Sequence, residues 1–132
     1  MDSISLLPSP LNTIVIENKR GEYKDFGLDA NDPYPLKGVT YPVDYGYIPG
    51  YMGEDDAELD FFVGSDREGL SGSITVSRGK GNPDEHKFYI ALTPEEREAI
   101  LKEFAPVLLQ HTPIESKEQL TEAISDFKTT NA

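Results

Sequence analysis

The chain has 132 residues, 37% of them hydrophobic and 27% charged. That balance suits one globular domain over residues 1–132 with a core of its own. Lys and Arg number 12 against 24 Asp and Glu, a formal net charge of −12. A surface of that sign repels nucleic acid and anionic membranes, and it admits an anion only where cations line a pocket. The absence of cysteine excludes disulfides, thiolate metal sites and a cysteine nucleophile. No run approaches the roughly 20 apolar residues of a membrane-spanning helix.

Residues 1–12 (MDSISLLPSPLN) lack the basic start and apolar stretch of a secretory signal, so a cytoplasmic location is expected. Pro8 and Pro10 predict a loose lead-in. Residues 13–17 (TIVIE) are β-branched and predict a strand, and residues 22–26 (EYKDF) alternate as a return strand would. Two prolines mark residues 28–36 as a loop. Residues 41–50 (YPVDYGYIPG) cannot be helical and predict a short strand or bend dense in tyrosine. Residues 59–63 (LDFFV), 73–78 (SITVSR) and 87–92 (KFYIAL) complete about six strands, the last two separated by a turn at 79–85. Thr93, Pro94 and Glu96 form a capping-box pattern that predicts a helix, which Pro106 should kink or end. Ser116 and Gln119 open a second helix, with Leu120, Ile124 and Phe127 on one stripe, and residues 128–132 are expected to fray. Strands first and helices last predict an α+β fold: a small antiparallel sheet or barrel with two C-terminal helices packed outside, on one side.

Glu54, Asp55, Asp56, Glu58 and Asp60 crowd five carboxylates into seven residues. Like charges this close suppress one another's ionisation unless water, basic groups or a hard cation such as Mg²⁺ relieves them. The apolar residues of 59–63 draw Asp60 toward the core, where an unpaired carboxylate is costly. Tyr41, Tyr45, Tyr47 and Tyr51 precede the cluster with phenols able to donate to phosphate oxygens. Lys37, Arg78, Lys80 and Lys87 are candidate phosphate ligands in a chain short of cations. His86 could bind phosphate or carry a proton, and His111, just past the first helix, is expected to meet its terminal carbonyls.

Residues 41–64, YPVDYGYIPGYMGEDDAELDFFVG, resemble the signature region of the soluble family I inorganic pyrophosphatases. That region is a Tyr-Pro-x-x-Tyr-Gly-Tyr-Ile segment, a spacer, an acidic DGDPxD motif and an apolar strand. A looser resemblance runs from Thr13 to Leu92. It implies a small OB-like β-barrel and Mg²⁺-dependent hydrolysis of pyrophosphate to two phosphates by a metal-activated water. By position, Tyr41 and Tyr45 match the family's tyrosines, and Asp55 and Asp60 match the first and last motif aspartates. Asp55, Asp60, Asp84 or Glu85, and Glu17 are then the expected metal ligands, with Glu17 acting through water. Lys37, Tyr41, Tyr45 and Lys87 are the expected substrate contacts, and Asp56 or Glu58, with Tyr45, the expected catalytic groups.

The pattern also departs from the family. Ala57 stands where the middle motif aspartate is expected, Pro33 where an arginine precedes the tyrosines, and Lys80 where another metal-binding aspartate is expected. The tyrosine-lysine pair of the family's C-terminal helix has no counterpart in residues 98–107. Three readings stay open: a divergent hydrolase of pyrophosphate or a related small phosphoanhydride, a degenerate homologue that binds phosphate or metal as a regulatory module, and an acidic barrel that binds a basic protein. A homo-oligomer is compatible with the resemblance.

Overall fold

The computed structural model describes residues 2–5, 13–53, 57–79 and 81–127. Its elements run β1 (Asp2–Ser5), β2 (Thr13–Asn18), β3 (Tyr23–Asp25), β4 (Gly38–Thr40), β5 (Asp44–Met52), β6 (Glu58–Val63), β7 (Leu70–Val76), β8 (Glu85–Leu92), α1 (Pro94–Glu103), a 3-10 turn (Ala105–Val107), β9 (Leu108–Ile114) and α2 (Lys117–Ser125). Seven strands form one sheet in the order β1-β2-β5-β6-β8-β7-β9, and β3 pairs with β4 in a separate ribbon. The α+β class holds. The described sheet is open, with β1 and β9 as its edges, and it does not close into the expected barrel.

The sheet is mixed rather than antiparallel. β6 and β8 run parallel, with Phe61 opposite Phe88 and Val63 opposite Ile90. β7 folds back along the far side of β8 instead of entering between them. The tyrosine-rich segment is a nine-residue strand, longer than its glycines and prolines suggest. A register shift between Ile48 and Met52 absorbs Pro49 and Gly50 as an irregularity. Gly46 is required here for space: a Cβ would run into the Val15 carbonyl of β2.

Alternation gives the sheet two faces. One packs Ile14, Ile48, Leu59, Phe61, Phe88 and Ile90 under Leu120 and Ile124 of α2. The other packs Tyr41, Tyr45, Phe62, Ile74 and Tyr89 under Ile100 and Phe104 of α1. The helices therefore cover opposite faces, not one side. The expectation erred because neither helix stripe reveals which sheet face it will meet.

Both helix starts follow their sequence signals. The Thr93 side chain accepts from the Glu96 N–H at 3.1 Å while the Glu96 carboxylate accepts from the Thr93 N–H at 2.9 Å. Ser116 caps α2 by accepting from the Gln119 N–H at 3.1 Å. α1 ends at Phe104, and Pro106 sits in the 3-10 turn that follows. β9 is the element that periodicity did not disclose: it is an exposed-edge strand, and Pro113 is tolerated in it because an edge strand need not donate on both sides. His111 lies in this strand and meets Tyr89, not the helix carbonyls. Among the described residues no helix is long and apolar enough to cross a membrane.

Candidate functional site

Strand parity assembles the site. On β6, Asp60 alternates with the core residues Leu59 and Phe61, and its antiparallel partner is Tyr47. On β8, Glu85 and Lys87 share a face with Tyr89, and they pair with Val76 and Ile74 of β7. Because β6 and β8 are neighbours, the two sets of charged side chains project from one face of the sheet. The Lys87 ammonium lies 3.1 Å from Asp60 Oδ2 and 3.2 Å from Glu85 Oε1, and donates to the Tyr45 hydroxyl at 2.6 Å. An ammonium has three protons, and these three oxygens match them. Arg78 Nε stands 3.8 Å from Glu85 Oε2. The Tyr41 ring stacks on Tyr45 with centroids 4.5 Å apart.

Burial sharpens each interaction. The Lys87 and Glu85 side chains are each 10% exposed and Asp60 is 19% exposed. Burial opposes the charge on Lys87, but Tyr45, Asp60 and Glu85 outweigh it and hold the ammonium well above its ordinary pKa. Burial likewise works against the Asp60 carboxylate, yet the Lys87 charge and hydrogen bonds with Glu85, Tyr45 and Lys87 keep it below the usual value. Burial pushes the Tyr45 phenol well up, and pushes Tyr41 up to about 12. At neutral pH the centre therefore holds a fixed cation, a fixed anion and two protonated phenols. Glu58, exposed on the same side of β6 as Asp60, has its pKa raised by lost hydration and by repulsion from Glu17 and Asp60.

This cluster floors a cleft of about 910 Å³. Glu17, Tyr41, Tyr45, Asp60, Arg78, Glu85 and Lys87 all line it, so seven of the residues singled out by sequence converge. Lys37, Glu58 and Asp84 are exposed and do not line it. The Lys37 ammonium donates to the Asp29 and Asp32 carbonyls and ties down the loop between β3 and β4. Asp55, Asp56 and Lys80 lie outside the described residues. His86 points away from Lys87's face, edge-on to Phe127 at 5.8 Å, as adjacent strand positions must. Sequence reading missed Lys24 and Tyr34, both in the lining. Lys24 gave no signal of its own, because only the pairing of β3 with β4 carries it to the cleft. Tyr34 sits in a proline-marked loop and is held there by donating to the Ser77 carbonyl.

The expected magnesium can be tested against these donors. Glu17, Asp60 and Glu85 offer the hard oxygens that Mg²⁺ selects. Yet among the described residues no group of three His, Asp or Glu stands close enough to hold an ion. Asp60 and Glu85 instead share the Lys87 ammonium. The described residues alone do not make a magnesium cage.

A family model described as Inorganic Pyrophosphatase matches residues 11–116 of the chain. No curated protein and no solved structure matches it.

Proposed function

Since the chain belongs to the inorganic pyrophosphatase family, we propose that its cleft binds pyrophosphate with magnesium and hydrolyses it to two phosphates. The observation that carries this reading is the convergence of Asp60, Glu85, Tyr45 and Lys87 on one cleft floor, with Arg78 beside them. In a chain of net charge −12, Lys24, Arg78 and Lys87 line one hole and offer an entering anion three cations.

The lining also carries Glu17, Asp32, Asp60 and Glu85, so cations and carboxylates nearly balance. A bare polyanion would be poorly received. Pyrophosphate that arrives with Mg²⁺ already bound has much of its charge neutralised, so in this proposal magnesium comes with the substrate. Arg78, whose guanidinium stands 3.8 Å from Glu85, offers its planar fork to phosphate oxygens. Lys24 adds a second cation at the rim. Lys87 reaches phosphate by exchanging one of its three oxygen partners for it. The protonated Tyr41 and Tyr45 phenols donate hydrogen bonds to the developing charge. Water adds to one phosphorus, the P–O–P bond breaks, and the bridging oxygen leaves with the second phosphate. Asp56 takes the water's proton, or Glu58 does so through a second water, since Glu58 stands on Asp60's side of β6 but outside the lining.

A phosphate-release assay with pyrophosphate, with and without Mg²⁺, tests the reading. Magnesium-dependent release that Asp60→Asn abolishes supports it; no release at any magnesium concentration overturns it. Ala57, in the place of the motif's middle aspartate, favours a second reading: a family member that binds phosphate or metal as a regulatory module without turnover. Tight pyrophosphate binding with no release would select that reading.

A further inference from the structure

We infer that the preferred ligand of this cleft is an organic diphosphate, a phosphoanhydride joined to an apolar or aromatic body, rather than bare pyrophosphate. The inference rests on the reading of the cleft as a phosphoanhydride site and adds what else it accommodates. A volume of about 910 Å³ lies in the range of pockets that enclose whole organic ligands. Pyrophosphate would fill only a small part of it.

The lining is divided. Asp60, Lys87, Glu85 and Arg78 form one connected polar chain. Elsewhere Phe26 and Leu36 of the loop between β3 and β4, Val39 of β4, Phe104 at the end of α1 and Val107 of the 3-10 turn build an apolar wall. Pro33, at the position where the family pattern has an arginine, belongs to that same loop and also lines the cleft. The side that the resemblance expects to be cationic is apolar here. Tyr34 stands where the two parts meet: its ring packs with the apolar cluster, while its hydroxyl donates to the carbonyl of Ser77, the residue before Arg78. Val39, Phe104 and Val107 are already buried, so the surface left to an apolar body is that of the part-exposed Phe26, Tyr34 and Leu36, which pyrophosphate has nothing to cover.

Nucleoside diphosphates and prenyl diphosphates share the required chemistry. In either, water adds to the terminal phosphorus and the P–O–P bond breaks there. The bridging oxygen leaves with the organic monophosphate, inorganic phosphate is released, and one proton passes to solvent.

The test is calorimetric titration of the full chain, in Mg²⁺, with pyrophosphate, ADP, dimethylallyl diphosphate and geranyl diphosphate, alongside phosphate release from each. At least one organic diphosphate is expected to bind about tenfold or more tightly than pyrophosphate. Leu36→Ser should narrow that ratio about threefold or more. If the variant does not fold, the wild-type series serves: affinity that rises from dimethylallyl to geranyl diphosphate identifies a prenyl body, and a preference for ADP identifies an aromatic one. Pyrophosphate binding as tightly as all three organic ligands overturns the inference, and its turnover in that case leaves the hydrolase reading standing. Organic ligands that bind tightly, with no phosphate released from them or from pyrophosphate, support the inference and overturn the hydrolase reading.

Discussion

The Tyr45 hydroxyl and the Lys87 ammonium are 42 residues apart in sequence and 2.6 Å apart in space. They meet because β6 lies between their strands in the sheet and brings Asp60 to the same point. Removing the hydroxyl in Tyr45→Phe leaves the ring stack on Tyr41 but deletes an acceptor to a buried charge. Hydrogen bonds to charged groups are worth about 1.5–3 kcal/mol, and the variant should lose stability in that range in urea unfolding. A loss below about 0.5 kcal/mol would show that the bond does not hold the site together.

Lys87 supports more than its contact with Tyr45. In Lys87→Met the buried Asp60 and Glu85 lose their shared cation, a change of the kind that costs about 3–5 kcal/mol. The pH dependence should also change sign. In the wild type Asp60's folded pKa lies below its ordinary 3.8, so its stabilisation is present above that value and is lost as pH falls through the folded pKa. Burial is already the largest single influence on Asp60; without the Lys87 charge that opposes it, the folded pKa is expected to rise above the unfolded one. Stability should then be greater at acid pH and decline as pH rises through the new value. Thermal melts from pH 3 to 7 would reject this account if the variant's stability rose with pH in parallel with the wild type.

Much of this arrangement is legible in the sequence. The apolar neighbours of Asp60 pin it to a buried strand, and strand parity sets its face. Thr93 and Ser116 announced both helices, because caps are local chemistry. Pairing was not legible. The parallel β6–β8 contact, the edge strand β9 and the placement of the helices on opposite faces depend on which distant segment meets which. Ala91 shows the same limit from within one strand. It adopts a left-handed φ of 63°, which turns Leu92 onto the α1 face although its neighbour Ile90 packs under α2. Nothing in the sequence of a small buried residue announces that reversal.

Magnesium removal should separate turnover from stability. No described group of residues holds an ion, and the buried carboxylates already have an internal cation. EDTA is expected to stop phosphate release while leaving the melting temperature of the free protein within about 1 °C, since a ligand that does not bind the free folded state cannot stabilise it. A melting temperature that rises steadily with Mg²⁺ in the absence of substrate would instead place a resident ion on the protein.

A second polar contact, part-buried between β8 and β9, sets a separate pH dependence. The Tyr89 hydroxyl lies 2.7 Å from His111 Nε2, and it crosses Gly72 of β7 to get there, where a Cβ would collide with it. Burial first, and then the Arg97 charge, push the His111 pKa below its ordinary 6.5, with Glu98 opposing them. The neutral ring accepts the Tyr89 proton; a protonated ring cannot. Since the folded pKa is depressed, the unfolded chain takes up the proton first. The His111 contribution is therefore complete above about pH 6.5 and is lost as pH falls toward the folded value. Wild-type melting temperature should drop more between pH 7.5 and 5.5 than that of His111→Gln, whose amide keeps a polar group near Tyr89 without titrating. Equal drops in the two proteins would mean that the carboxylates alone set the stability of this region in mild acid.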